Sequence, residues 1–276
     1  MRTNLEDFNE LGWTMIKNLI SKTEISLIMN KISSINEAYD ATVGTDKLKT
    51  RTALMLNSPE TSRVVLDITK KEILESIFTS HNMRPVIEHT KILIKAIGGP
   101  ATPWHQDSGY WRSFDPDRSM FTIWVALMDI GIENGCMRVL NTQNNLSELN
   151  HKAVHDESER AILDNELSVL LSQNNIVDCP LKAGDALIFK SWVVHSAYPN
   201  TSPLVRHAFK VVFQDLNKRP KKIPIPSRVV KLRGIIGLFN YWTDCAVTRA
   251  NMRIHQYKSS FKAKLSRFLK GANNNA

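Results

Sequence analysis

The stretch Pro103-Trp104-His105-Gln106-Asp107 sets an imidazole and a carboxylate two positions apart. On an extended chain such residues share a face, so both side chains can reach one metal ion. A third donor stands far downstream: His195 follows the apolar run ALIFKSWVV (186–194). Two imidazoles and one carboxylate on one side of a metal, with the other side open, make up the ligand set of non-haem Fe(II) oxygenases. By itself H-x-D is a weak signal, and a histidine that ends a strand is most often an ordinary packed residue. Arg206 strengthens the case. It comes after Pro199-Asn200-Thr201-Ser202-Pro203, a segment dense in turn formers. A reversal near Asn200 and Thr201 would return it toward His195. A guanidinium beside a metal suits a bidentate grip on a carboxylate; a surface arginine on an edge strand is the plainer alternative. Glu133-Asn134-Gly135-Cys136 reads as a turn first of all.

The elements that must position these residues show in the hydrophobic pattern. Ser21-Lys22-Thr23-Glu24 has the form of a capping box. Ile25, Ile28, Met29, Ile32 and Ile35 behind it predict an amphipathic helix over 22–37. A second helix is expected after Pro59, with Val64, Val65, Ile68, Ile73 and Ile77 inward. From Val86 the pattern alternates. VIEHTKILIKAIGG (86–99), FTIWVALMDIG (121–131), ALIFKSWVVH (186–195) and VRHAFKVVFQD (205–215) read as strands bounded by turn residues. Strands without intervening parallel-sheet helices suggest a sandwich or barrel. Residues 156–171 look like a helical insertion.

Bulk properties narrow the class. The 276 residues are 42% hydrophobic and 23% charged, an ordinary globular balance. No apolar run reaches the roughly 20 residues that cross a bilayer, and the first residues lack a secretory leader, so a cytoplasmic protein is expected. Cys136, Cys179 and Cys245 are scattered and odd in number, with no disulfide framework. The net charge is +9. Much of the excess lies from Lys218 onward, where Phe261, Leu265, Phe268 and Leu269 interleave with Lys262, Lys264, Arg267 and Lys270. That tail reads as a basic amphipathic helix, able to touch a membrane surface or partner or simply solvated on its charged face. His81, His151, His155, His207 and His255 are read as surface or core residues.

Taken in order, FNELGWTMIKNLISKTE, ATPWHQDSGYW, FTIWVALMDIGIENGCMRVL and AGDALIFKSWVVHSAYPNTS resemble the phytanoyl-CoA dioxygenase family of Fe(II)/2-oxoglutarate oxygenases, from about Phe8 to Phe213. The resemblance implies a mainly β protein with flanking helices. Its fold would be a double-stranded β-helix, a cupin-like jelly roll over residues 1–220 buttressed by N-terminal helices, with 221–276 a basic extension. It also implies that His105, Asp107 and His195 bind Fe(II) and that Arg206 grips the distal carboxylate of 2-oxoglutarate. Trp124 and His89 would line the cosubstrate pocket, and Gln106 and Trp111 would border the substrate. Relatives often carry serine two residues after the distal histidine, where this chain has Ala197; Ser196 is a candidate substitute. They also show Pro-Gly-Ser-His where this chain has Asn141-Thr142-Gln143-Asn144. The implied reaction consumes 2-oxoglutarate and O2, yields succinate and CO2, and hydroxylates a C–H bond of a small metabolite in a biosynthetic setting. Demethylation, desaturation and ring closure use the same ligands, whereas the intact carboxylate argues against halogenation. The basic charge favours an anionic substrate. Nucleic-acid dealkylation and a non-catalytic scaffold are the competing readings. Nucleic acid is not the favoured partner, and oligomeric state is open.

Overall fold

The computed structural model describes residues 3–43, 52–55, 59–111, 115, 117–142, 146–154 and 159–218, and their side chains except those of 34–43, 52–55, 59–60 and 111. The basic tail helix with its expected membrane or partner contact, the extension 221–276, Cys245, His155 and His255 lie outside the described residues.

In chain order the strands are β1 (Trp13–Ile16), β2 (Thr52–Met55), β3 (Pro85–Lys95), β4 (Thr102–His105), β5 (Phe121–Ala126), β6 (Met137–Asn141), β7 (His151–Val154), β8 (Glu159–Ile162), β9 (Asn175–Cys179), β10 (Ala186–Lys190), β11 (His195–Ala197) and β12 (Arg206–Asp215). The helices are α1 (Asn4–Glu10), α2 (Lys22–Val43), α3 (Pro59–Thr69), α4 (Glu72–Ser80), α5 (Ser108–Trp111) and α6 (Asp164–Gln173). A six-stranded sheet runs β1-β10-β5-β12-β3-β2, a four-stranded sheet runs β4-β11-β6-β9, and β7 and β8 form a hairpin. Every pairing is antiparallel. This is the jelly roll, with its two sheets separate rather than closed into a barrel.

All six residues of β5 are buried, because the larger sheet is covered on both faces. Successive side chains of a strand point to opposite faces. Phe121 meets Phe8 of α1 at 5.7 Å and Phe213 at 5.3 Å, and Phe78 of α4 meets Phe213 at 5.6 Å. Trp124 and Ala126 instead join Leu187, Phe189, Ala208, Met137, Val139 and Ala197 between the sheets. The interior face of β5, β10 and β12 therefore looks at β6 and β11, and α1 and α4 cover the back.

Local signals explain the helices. Glu24 N–H donates to Ser21 Oγ at 3.2 Å while Ser21 N–H donates to the Glu24 carboxylate at 2.6 Å, a reciprocal capping box. The helix behind it runs to Val43, beyond the expected 37. After Pro59 there are two helices, not one. Lys70 and Lys71 donate to Asp67 and Ile68 carbonyls in tightened three-residue closures, and Lys71 is extended at ψ 138°. The expected insertion at 156–171 is also corrected: its first part pairs as β8, and the helix starts at Asp164.

Most consequential for the site, the run from Ala186 to His195 is not a single strand. β10 ends at Lys190 in the larger sheet, residues 191–194 cross the gap, and β11 opens with His195 in the smaller sheet. A bend at Val193 N–H to Lys190 carbonyl (3.0 Å) makes the corner by which strands change sheets. The run 121–131 likewise leaves its ladder after Ala126. It enters a turn in which the Asn134 carboxamide accepts from Gly131 N–H at 2.7 Å and donates to the Asp129 carbonyl at 3.0 Å.

Candidate metal centre

His105 ends β4 and His195 opens β11, and the two are directly paired across the antiparallel ladder. Asp107 stands just beyond, where the chain turns into α5. His105 Nδ1 donates to the Pro103 carbonyl at 2.8 Å, and His195 Nδ1 donates to the Val193 carbonyl at 2.9 Å. A carbonyl only accepts, so each Nδ1 carries a hydrogen, and Nε2 is the nitrogen that offers a lone pair to a metal when the ring is neutral. Both Nε2 atoms face Asp107 Oδ1, at 3.8 and 3.9 Å, and donor atoms of the three residues lie within 4.8 Å of one another. The other oxygen of Asp107 is committed elsewhere. Oδ2 accepts from Thr122 Oγ at 2.8 Å and from Lys210 Nζ at 2.9 Å. Burial opposes ionisation of Asp107, but Lys210, His195 and His105 outweigh it and hold the carboxyl well below the usual carboxylate range. Two imidazole nitrogens and one carboxylate oxygen, each fixed by an outer hydrogen bond, could hold a first-row divalent metal such as Fe(II).

These donors face a cavity of about 220 Å³. His89 and Lys91 reach it from β3, Trp124 from β5, and Arg206 and Lys210 from β12, with Tyr110 at its side. Arg206 is 2% exposed, and its guanidinium carbon lies 5.1 Å from the centre of the Trp124 ring, a cation–π contact. The expected reversal brings it there. Asn200 Nδ2 donates to the carbonyls of Lys95, Ala96 and Leu204 at 3.1, 3.1 and 2.7 Å, fixing the turn between β11 and β12. Aromatic groups crowd the donors: the His105 and His195 rings are 4.2 Å apart, Phe189 is 4.5 Å from His195, and Tyr110 meets His105 edge-on at 5.7 Å.

The cavity thus gathers His89, His105, Asp107, Trp124, His195 and Arg206. Gln106 is elsewhere. Its carboxamide donates to the Trp192 and Ser147 carbonyls at 2.8 and 3.2 Å and accepts Leu149 N–H at 2.9 Å. It bolts the His105–Asp107 turn to the segment preceding His195. His151 assists, accepting Gln106 N–H on Nε2 at 3.0 Å while Nδ1 donates to the Leu149 carbonyl. The Trp111 side chain lies outside the described residues. Ser196 faces away and accepts from Arg138 Nε at 2.6 Å, whereas Ala197 lines the cavity; Ser196 does not substitute for the serine of the relatives. Three contributors escaped the sequence reading: Thr122, Lys210 and Lys91. Strand alternation puts them on the faces of residues the sequence reading did name, since Thr122 is two residues from Trp124, Lys91 two from His89, and Lys210 four from Arg206.

Comparison with known proteins agrees with this picture. Residues 8–208 match the family model of phytanoyl-CoA dioxygenase. The peroxisomal phytanoyl-CoA dioxygenase of Bos taurus is 25% identical over 229 residues, 76% of this chain and 67% of the bovine protein. A phytanoyl-CoA dioxygenase domain-containing protein 1 homolog of Dictyostelium discoideum is 30% identical over 112 residues, 40% of this chain and 39% of its own. Apart from the bovine protein, the curated relatives are matched over under half of their length. Among solved structures, the non-heme monooxygenase ThoJ superposes with a TM-score of 0.63 at 20% identity, covering 92% of this chain and 98% of that one. At that identity the likeness speaks for the fold.

Proposed function

The chain belongs to the phytanoyl-CoA dioxygenase family, whose chemistry is that of iron- and 2-oxoglutarate-dependent dioxygenases, and from that premise we propose that it hydroxylates a C–H bond of a small metabolite. In the overall reaction one oxygen atom of O2 enters the substrate as hydroxyl. The other enters succinate as 2-oxoglutarate loses CO2. The observation that carries this reading is the meeting of His105, Asp107 and His195 with Arg206 across one buried cavity.

Bound Fe(II) supplies the oxygen activation and couples it to the keto acid's decarboxylation. The chain's own work is orientation and exclusion. His105 and His195 present Nε2, and Asp107 presents Oδ1, and these three atoms would hold the metal at the cavity. Thr122 and Lys210 hold Oδ2 back, which keeps Asp107 a one-oxygen ligand. Arg206 grips the distal carboxylate in a fork of N–H donors, steadied by Trp124 beneath it. His89 completes that wall. Trp124 and Phe189 exclude water from the reacting carbon. No helix among the described residues is long and apolar enough to cross a membrane, which is compatible with the cytoplasmic setting of this proposal.

An anaerobic titration with Fe(II) and then 2-oxoglutarate tests it. We expect the visible charge-transfer band of a chelated keto acid to saturate in the wild type and to vanish in His195→Ala. Arg206→Gln should need far more 2-oxoglutarate to reach the same band. A folded wild-type protein that forms no band would refute the proposal.

A further inference from the structure

The Lys91 side chain lines the cavity in front of the metal donors and is half-buried. Directly opposite it on β12 stands Lys210, whose ammonium is committed to Asp107 at 2.9 Å. Opposed side chains on neighbouring antiparallel strands hold their Cβ atoms about 5 Å apart, and like charges there destabilise the sheet. No hydrogen bond or ion pair to another described residue offsets this for the Lys91 ammonium. Burial, then the Lys210 charge, press its pKa down, with Asp107 pulling the other way. A local rule broken beside a chemical site is the kind of violation a ligand compensates.

The charge balance of the cavity indicates which ligand. Among the described residues its lining offers three cations, Lys91, Arg206 and Lys210, against one carboxylate, Asp107. Ferrous ion and the 2-oxoglutarate dianion cancel each other, so loading the site leaves that cationic excess in place. The two ends of the keto acid are already assigned, one to Arg206 and one to the metal. A buried excess of charge is costly until a counter-charge arrives.

We propose that Lys91 anchors an oxyanion of the primary substrate, a carboxylate, phosphate or phosphonate, so that the enzyme oxidises small acids at a carbon close to their anionic group. This rests on the reading of the cavity as a keto-acid site. Closeness follows from the register: Lys91 is one strand away from the lysine that touches the Asp107 ligand, which leaves room for only a short carbon chain between anion and metal.

Protein saturated anaerobically with Fe(II) and 2-oxoglutarate is titrated in a calorimeter with butyrate, with methylphosphonate and with uncharged butyramide. We expect the wild type to bind both anions and not the amide. In Lys91→Gln both anions should bind about tenfold more weakly or worse, the effect of losing one charge-assisted hydrogen bond. Lys91→Arg should retain them. Neither variant should shift the 2-oxoglutarate titration of the charge-transfer band, and Lys91→Gln should melt no lower than wild type because it relieves repulsion. Equal anion binding by wild type and Lys91→Gln overturns the inference, as does binding of butyramide or silence of both anions. A Lys91→Gln variant weakened toward 2-oxoglutarate overturns it too, by assigning Lys91 to the cosubstrate. Absence of the band in the wild type would instead bring down the keto-acid reading on which this rests.

Discussion

Replacing Asp107 by alanine deletes a candidate metal donor and also strands a buried ammonium. The Asp107 and Lys210 side chains are 4% and 14% exposed and their charged atoms are 2.9 Å apart. Breaking such a pair by removing one partner costs about 3–5 kcal/mol, because the other charge stays buried without its counter-ion. For a domain of this size each kcal/mol moves Tm by about 2–4 °C. Asp107→Ala should therefore melt roughly 6–20 °C below wild type even when no metal is present. Lys210→Met should also be destabilised, since the carboxylate loses its ammonium partner and Oδ2 keeps only the Thr122 hydroxyl. The double variant leaves neither charge, so it should be more stable than the two single costs added together imply, by about 2 kcal/mol. Urea unfolding of the four proteins with a chelator at neutral pH measures this coupling. The pH matters in sign. The folded-state pKa of Asp107 is held below its unfolded value, so its contribution is complete above the ordinary carboxylate range and is lost as pH falls through the folded value. Single costs that add within about 0.5 kcal/mol would show that the ion pair does not stabilise the centre, and the orientation argument for Oδ1 would go with it.

Burial and then Lys218 press Lys190 down to about 8. Its folded pKa is below the unfolded one, so the unfolded state holds more protons between those values and stability should rise with pH across that window. Lys190→Met should flatten the rise and add stability at pH 7; an unchanged pH profile would contradict the burial argument. Cys136 and Cys179 are pushed up to about 11 and about 12, by burial first and then by Asp178 for Cys136 and by Cys136 for Cys179. Peptide mapping should find both unalkylated by iodoacetamide at pH 8 in the folded protein and modified in urea, and rapid native labelling would count against their burial. Gly135 has φ 87°, and a Cβ there would stand 2.8 Å from the Tyr198 carbonyl oxygen and 2.9 Å from the Lys95 side chain. Gly135→Ala should lower the melting temperature by several degrees, at a cost of about 1–2 kcal/mol for the left-handed backbone alone; an unchanged melt would refute the strain.

The donors were legible in the sequence because their spacing is itself the chemistry. His105 and Asp107 share a side of an extended chain whatever the rest of the protein does, and turn residues between His195 and Arg206 force a reversal. The strands were legible for a similar reason, since alternation of apolar residues is a local property of β5 and β12. The alternation also holds Thr122 on the face of Trp124 and Lys210 on that of Arg206. It gives no reason to single them out until Asp107 is known to lie between them. Where β10 ends and β11 begins was not legible. The apolar run from Ala186 to His195 is continuous, and only the opposing sheet decides that it breaks at Lys190. Gln106 shows the converse. Its position inside the motif suggested a substrate contact, yet its carboxamide serves the backbone of residues 147, 149 and 192. Local spacing determined which side chains could meet a metal. Long-range pairing decided which oxygen of Asp107 faces it, and which lysine holds the other oxygen, because those depend on groups brought together from strands far apart in the chain.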